Sequence, residues 1–221
     1  MKTQIGVIVF PGSNCDYDAY YALKKIFNVE VKFIWHRETD LKGISGVVIP
    51  GGFSYGDYLR TGAIARFSPI MEIIIKESKN GIPIIGICNG FQILLECGLL
   101  PGALINNSGI KFLSKNVTLK VESSSSLFSN KFNKNDSICM PIAHKQGNYI
   151  ADKETLKKLV DEDNIVFKYE NNPNGSMLDI AGITNNKRNI LGMMPHPERA
   201  CEEILGSTDG TKIFDSMIGN C

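Results

Sequence analysis

The most constraining feature of the chain is a stretch in which a strand pattern passes directly into a helix pattern. The apolar run 82–87 leads through Gly86-Ile87-Cys88-Asn89-Gly90 into residues 91–96, which follow helical spacing. Glycines two positions before and after Cys88 let a strand and a helix approach closely enough for a sharp turn. The thiol then faces the unpaired N–H groups at the start of the helix, which favour the thiolate. The pattern predicts a nucleophile elbow at Cys88; a buried structural cysteine is the alternative.

The first half of the chain alternates short apolar strand patterns with helix patterns. The predicted strands are 5–10, 29–35, 46–49 and 82–87. The predicted helices are 16–27, with Ser13 or Asn14 as its cap, and 69–79, with Pro69 in its first turn. Fully apolar strands separated by helices indicate a parallel sheet that is covered on both faces. We therefore predict an α/β fold with a doubly wound, mostly parallel sheet.

The second half of the chain has a different pattern. Strand patterns recur at 117–121, 138–143, 165–169, 180–184 and 190–193, and helix patterns occur at 152–160 and 210–217. The turn sequence 185–188 returns the chain from one strand into the next, which is typical of antiparallel pairing. We expect these strands to be antiparallel and to lie at the edge of the sheet. Residues 1–221 are predicted to form a single domain.

Composition excludes several function classes. The formal net charge is +1, which removes the electrostatic argument for a nucleic-acid or membrane-surface partner. No window is long and apolar enough for a membrane span. The six cysteines include no C-x-x-C pair, so neither a structural zinc site nor a disulfide framework is indicated. The prediction is a reduced, cytoplasmic protein without a metal site.

A second candidate motif, Pro195-His196-Pro197-Glu198, follows the strand pattern 190–193. Functional sites of doubly wound sheets collect at the carboxyl ends of the strands, so Cys88 and His196 can meet there. Glu198 could hold one ring nitrogen of His196 while the other nitrogen faces the sulfur. This predicts a Cys88-His196-Glu198 triad. The alternative is a loop histidine beside a surface carboxylate.

A third motif, Pro50-Gly51-Gly52, follows the strand pattern 46–49. Paired glycines at a strand end allow a backbone N–H to face an oxyanion, and the N–H of Asn89 would be its partner. We therefore predict an oxyanion hole formed by Gly52 and Asn89; a plain tight turn is the alternative. Residues 206–212 have the glycines and lysine of a phosphate loop but not its spacing, so no ATP site is expected on this chain.

Together these motifs resemble those of the triad-type, or class I, glutamine amidotransferases, which have a flavodoxin-like fold. Further segments resemble the amidotransferase subunits of phosphoribosylformylglycinamidine synthases in purine biosynthesis. These segments are Phe10-Pro11-Gly12-Ser13-Asn14-Cys15-Asp16, residues 51–60, Pro141-Ile142-Ala143-His144 and Ser207-Thr208-Asp209-Gly210. One departure is Lys145-Gln146-Gly147-Asn148-Tyr149, where a Gly-Glu-Gly-Arg-Tyr-like stretch is expected.

The resemblance implies hydrolysis of glutamine by Cys88, with His196 as acid and base. Gln92 is a candidate substrate contact, although a polar helix residue with local hydrogen bonds is its alternative. His144 is a second candidate contact, and the alternatives for it are a structural histidine, a second catalytic histidine and a metal ligand. We expect no cofactor on this chain.

The resemblance also implies partners. ATP and Mg²⁺ would bind to a large synthetase subunit, and a small third subunit is expected beside it. Residues 53–66 and 207–212 are the candidate contact region, because they flank the proposed site.

Two rival functions are disfavoured by the same residues. Cysteine peptidases and deglycases of the amidotransferase-like superfamily usually place a histidine directly after the cysteine, whereas this chain has Asn89. A non-enzymatic regulatory subunit would have lost part of the triad, but Cys88, His196 and Glu198 are all present.

Overall fold

The protein is described by a computed structural model that covers residues 3–221. It contains eleven strands and five α-helices, joined by loops and short 3-10 turns. The strands are β1 (Gln4–Val9), β2 (Glu30–Trp35), β3 (Gly46–Ile49), β4 (Ile84–Ile87), β5 (Ala103–Ile105), β6 (Leu113–Val121), β7 (Ser137–His144), β8 (Asn148–Ile150), β9 (Ile165–Tyr169), β10 (Ile180–Thr184) and β11 (Ile190–Met193). The helices are α1 (Asp16–Tyr21), α2 (Pro69–Ser78), α3 (Asn89–Glu96), α4 (Lys153–Asp161) and α5 (Thr211–Ile218).

Nine of the strands form one mixed sheet in the order β2-β1-β3-β4-β11-β10-β9-β6-β7. The five strands from β2 to β11 are parallel to their neighbours, and the remaining strands pair antiparallel. Every residue of β3, β4 and β11 is buried, so both faces of the sheet are covered at its centre. The predicted α/β class with a mostly parallel half and antiparallel strands is confirmed.

The position of β11 differs from the prediction. This strand pairs antiparallel with β10, as expected, but it also pairs parallel with β4 in the middle of the sheet. The tight turn from β10 reverses the chain direction, which makes β11 parallel to β4. An apolar strand such as Ile190–Met193 gains most from this place because its two faces are both buried there.

The first helix is shorter than predicted and has a different start. Its α-helical part ends at Tyr21, and Ala22–Ile26 continue as a π-helix. Neither Ser13 nor Asn14 is its cap, because the N-cap residue is Cys15 and no side chain caps the helix. Ser13 instead forms a backbone bridge with Gly52, which holds it away from the helix start.

Two short strands were not predicted. β5 and β8 have only three residues each and form a separate antiparallel pair. Three residues are too few for a recognisable alternation of apolar and polar side chains. Within residues 3–221, no helix combines the length and the apolar character that crossing a membrane requires.

The topology brings three strand ends together. β3, β4 and β11 are adjacent, with Ile49 paired to Gly86 and Met193 paired to Ile87. The residues that follow these three strands are Pro50, Cys88 and Met194, so all three sequence motifs begin at the same edge of the sheet.

Candidate active site

The structure contains the predicted turn at Cys88. The backbone of Cys88 has φ 51° and ψ −105°, a left-handed conformation that strains a residue with a side chain. The flanking glycines explain why the turn can form. A Cβ at Gly86 would lie 2.7 Å from the Gly90 carbonyl group, and a Cβ at Gly90 would overlap the Ile49 carbonyl oxygen. Strand and helix can therefore pack this closely only where both side chains are absent.

Cys88 opens into a cavity of about 370 Å³ between the loops at this edge. The thiol is mostly buried and lies 3.7 Å from the carbonyl oxygen of Ala143, to which it can donate a hydrogen bond. The backbone N–H of Cys88 donates to Met193 at 2.8 Å, which fixes the turn against the end of β11.

His196 and Glu198 form a buried pair in this cavity wall. His196 Nδ1 and Glu198 Oε1 are 2.6 Å apart, and both side chains are almost inaccessible to solvent. The backbone N–H of His196 donates to Pro141 at 2.9 Å. Because Nδ1 is held by the carboxylate, Nε2 is the nitrogen left for chemistry, and it has no hydrogen-bond partner of normal geometry among the described residues.

The imidazole and the thiol meet at Gly51. A Cβ placed on Gly51 would lie 2.9 Å from His196 Cε1 and 3.4 Å from Cys88 Cβ. Gly51 therefore leaves the space in which the ring can approach the sulfur. The structure brings Cys88, His196 and Glu198 together in the order that a catalytic triad requires.

Electrostatics assign opposite charge states to the two buried histidines. Burial lowers the pKa of His196, but the Glu198 carboxylate and then the Cys88 sulfur outweigh it and raise the pKa to about 10. For His144, burial and the nearby positive charge of His196 lower the pKa to about 4. At neutral pH His196 is an imidazolium, which stabilises negative charge on the sulfur, and His144 is neutral.

Gly52 and Asn89 lie beside the nucleophile. Gly52 lines the cavity with a φ of 118°, and Asn89 is the first residue of α3. The side chain of Asn89 accepts a hydrogen bond from the Ser54 N–H at 3.2 Å, which ties α3 to the loop after Gly52. Both residues are placed where an oxyanion hole is needed, and the role of their N–H groups stays a prediction.

Gln92 reaches the cavity, but both ends of its amide are occupied. Its Oε1 accepts from Asn89 Nδ2 at 3.0 Å, and its Nε2 donates to the Gln146 carbonyl oxygen at 2.7 Å. These contacts favour the local structural role, which was the alternative to substrate binding. His144 pairs through Nδ1 with Asn107 Oδ1 at 3.1 Å, while its Nε2 is buried without a partner and its ring lines the cavity.

Several cavity residues were not predicted to belong to the site. They are Asn14, Cys15, Phe53, Asp57, Thr61, Phe112, Lys145, Gln146 and Arg199. Arg199 donates to Asp18 at 2.8 and 2.9 Å and to the Cys15 sulfur at 3.0 Å. Burial, partly offset by this guanidinium, raises the pKa of the Cys15 thiol to about 12, so Cys15 is a thiol at neutral pH. Across residues 3–221, no three His, Cys, Asp or Glu side chains are grouped so that they could hold a metal.

The chain is similar to solved structures over nearly its whole length. The structure of PurLQS from Thermotoga maritima matches with 45% sequence identity and a TM-score of 0.91, over 99% of this chain and 99% of that chain. A GMP synthase subunit from Thermoplasma acidophilum matches with 20% identity and a TM-score of 0.64, over 100% and 94% of the two chains. A glutamine amidotransferase from Thermotoga maritima matches with 18% identity and a TM-score of 0.58, over 90% and 77% of the two chains. The last two show the fold alone.

A family model covers the same extent. The model for the CobB/CobQ-like glutamine amidotransferase domain matches residues 2–214, which include both strand ends that carry the triad. With a buried Cys-His-Glu arrangement at an elbow of the expected geometry, the chain belongs to the family of CobB/CobQ-like glutamine amidotransferases.

Proposed function

We propose that this chain is the glutaminase subunit of a phosphoribosylformylglycinamidine synthase. It hydrolyses glutamine to glutamate and ammonia, and a synthetase subunit uses the ammonia for the ATP-dependent conversion of formylglycinamide ribonucleotide to formylglycinamidine ribonucleotide. The observation that carries the glutaminase activity is the His196-Glu198 pair, 2.6 Å apart, facing Cys88 at the elbow. The segments that resemble such subunits, together with the match at 45% identity, support the substrate of the partner.

The first half of the reaction forms a thioester. The Cys88 thiolate attacks the side-chain carbonyl carbon of glutamine, and a sulfur–carbon bond forms as the carbonyl oxygen becomes an oxyanion. The backbone N–H groups of Gly52 and Asn89 hold this oxyanion. The His196 imidazolium then gives its proton to the nitrogen, the carbon–nitrogen bond breaks, and ammonia leaves.

The second half returns the enzyme to its starting state. Neutral His196 takes a proton from water through Nε2, and the water oxygen attacks the thioester carbon. The carbon–sulfur bond breaks, which releases glutamate and the Cys88 thiolate. Glu198 holds Nδ1 throughout, so it keeps the ring in the useful tautomer and stabilises its cation.

ATP and Mg²⁺ belong to the partner in this proposal, so the chain itself needs no cofactor. The synthetase docks on residues 53–66 and 207–212, and a small third subunit completes the complex. In the first segment Tyr58 and Leu59 are 74% and 91% exposed, although Phe53, Asp57 and Thr61 of the same segment line the cavity. Exposed apolar side chains next to a reactive cavity favour a protein partner that covers the cavity mouth. All six cysteines are free, which supports a reducing compartment such as the cytoplasm.

The proposal is tested with Cys88→Ala in the complex reconstituted with the synthetase. We expect the loss of glutamine-dependent synthesis and the retention of ammonia-dependent synthesis, because the variant removes only the thiolate that attacks glutamine. Product formation is measured with each nitrogen source, and circular dichroism checks the fold. Loss of both activities in a folded complex would contradict the proposal.

A further inference from the structure

The cavity contains a carboxylate that the mechanism above does not use. Asp57 is the one carboxylate among the described residues that line the cavity. Its Oδ1 is buried and has no hydrogen-bond partner among residues 3–221. Burial raises the pKa of Asp57 to about 6, so it is still ionised at neutral pH. A buried carboxylate oxygen without a partner is costly unless a ligand supplies the missing donor.

The backbone around Asp57 is held in an unusual conformation. Tyr55, Asp57 and Leu59 have positive φ values of 54°, 55° and 68°, which favour glycine and strain other residues. The segment is nevertheless well fixed. The Tyr55 N–H donates to Pro11 at 2.6 Å, and the Tyr55 hydroxyl lies 3.0 Å from Ser68 Oγ. The fold therefore maintains a strained loop that places Asp57 in the cavity.

The same cavity contains one cation that is free to bind a ligand. Two permanently charged bases line it, Lys145 and Arg199. Arg199 is paired with Asp18 at 2.8 Å. Lys145 is exposed and has no ion pair among the described residues, while its carbonyl oxygen is fixed by the Asn107 N–H at 2.9 Å. Lys145 is also the position at which the sequence departs from the glycine expected in this motif.

Glutamine carries one positive and one negative group at its α-carbon, separated from the reacting carboxamide by two methylene groups. We propose that Asp57 binds the α-ammonium group of glutamine and that Lys145 binds its α-carboxylate. This assignment rests on the glutaminase function proposed above and adds the two residues that recognise free glutamine. A glutamine side chain inside a polypeptide has neither charge, so the same pair excludes proteins as substrates.

The Asp57 contact is tested with analogues that lack single charges. Glutaramate lacks the α-ammonium group but keeps the carboxamide and the carboxylate. In the reconstituted complex, Asp57→Asn should raise KM for glutamine about tenfold or more and leave KM for glutaramate unchanged, because a charge-assisted hydrogen bond is lost only with glutamine. Asparagine tolerates the left-handed backbone, so the fold should be kept. Equal increases in KM for both substrates would overturn the assignment of Asp57.

The Lys145 contact is tested with glutaminamide, in which the α-carboxylate is replaced by a neutral amide. Lys145→Ala should raise KM for glutamine severalfold and leave KM for glutaminamide unchanged, since an exposed ion pair is weaker than a buried one. The matched controls are Asp40→Asn and Lys42→Ala, which change exposed residues outside the cavity and should leave both KM values unchanged. Equal effects of Lys145→Ala on the two substrates would overturn the assignment of Lys145.

A measurement without substrate separates this inference from the proposed function. Because the unpaired carboxylate is costly in the free protein, Asp57→Asn should raise the Tm of the isolated chain by a few degrees at pH 8. Added glutamine should stabilise a Cys88→Ala chain, and Asp57→Asn should remove this stabilisation. If glutamine stabilises both chains equally, the anchors are wrong while the glutaminase function stands. If Cys88→Ala keeps full glutamine-dependent synthesis, the proposed function fails.

Discussion

At the scale of single residues, Glu198 controls the charge of His196. Its carboxylate is the largest influence that opposes burial and raises the pKa of His196 to about 10. We expect Glu198→Gln to lower this pKa by one unit or more and to reduce kcat at least tenfold, because an amide can hold Nδ1 but cannot stabilise the imidazolium. NMR titration of the ring and glutaminase kinetics of the complex measure the two effects.

The same pair makes the stability of the chain depend on pH. A histidine whose folded pKa lies above its unfolded value of 6.5 stabilises the fold fully below pH 6.5, and this stabilisation is lost as the pH rises toward 10. Thermal melts of the wild type should therefore fall between pH 6.5 and 10 more steeply than those of Glu198→Gln. Equal slopes together with wild-type turnover would show that Glu198 is only a residue beside the site. The double change with His196→Ala should be far from additive, since the pair acts as a unit.

A second prediction at this scale concerns thiol reactivity. We expect a glutamine-analogue electrophile to label Cys88 in preference to the other five cysteines. Burial, as the largest cause, raises the pKa of Cys15, Cys97 and Cys201 to about 12 and that of Cys221 to about 11, whereas Cys88 faces the His196 imidazolium. Mass spectrometry of the labelled peptides decides the question. Dominant labelling of Cys15 in folded protein would contradict the elbow argument.

Single residues were predictable from the sequence where they lie in a motif at a strand end. Cys88, His196 and Glu198 follow buried strands directly, so the topology alone brings them together. Asp57 and Lys145 lie in loops, and their importance depends on which atoms lack partners. That information exists only after the loops have folded around the cavity. For Gln92, the sequence left two roles open, and its contacts with Asn89 and Gln146 favour the structural one.

At the scale of elements, the contact between α3 and β3 is the feature most sensitive to substitution. We expect Gly90→Ala to destabilise the chain by about 3 kcal/mol or more, because its Cβ would overlap the Ile49 carbonyl oxygen, which belongs to fixed backbone. The matched control is Gly109→Ala, where an added Cβ meets nothing within 4 Å. Urea unfolding of both variants measures the difference. Equal free energies of unfolding would show that α3 can move away from β3 at little cost.

Elements were predicted best where their apolar pattern is long enough to have a clear period. The strands of the main sheet were predicted in this way, and their ends differ from the observed ones by a few residues. Local patterns contain no information about neighbours, so the central place of β11 was missed. The π-helix Ala22–Ile26 was predicted as ordinary helix because the two forms have similar apolar periods over five residues.

At the scale of the whole molecule, the exposed end of residues 53–66 is the candidate partner contact. We expect Leu59→Asp to leave the fold of the isolated chain intact, since the side chain is 91% exposed, and to abolish assembly with the synthetase. Glutamine-dependent synthesis would be lost with the complex, while ammonia-dependent synthesis by the synthetase would remain. Gel filtration of the mixed proteins and activity with each nitrogen source measure these effects.

The control for this prediction is Val160→Asp. Val160 is also an exposed apolar residue, 54% exposed on α4, outside the candidate contact region. It should assemble like the wild type. If Leu59→Asp also assembles normally, the contact region lies elsewhere on the surface.

The place of β11 has a consequence for how the protein is made. This strand joins β4 to β10, yet it is the last of the nine in chain order. A ribosome therefore produces both halves of the sheet before it produces the strand that connects them, and each half has an open edge until then. His196 follows β11, so a nascent chain exposes Cys88 before its imidazole partner exists. Unfinished chains consequently cannot hydrolyse glutamine, and no ammonia is released by molecules that have nowhere to send it.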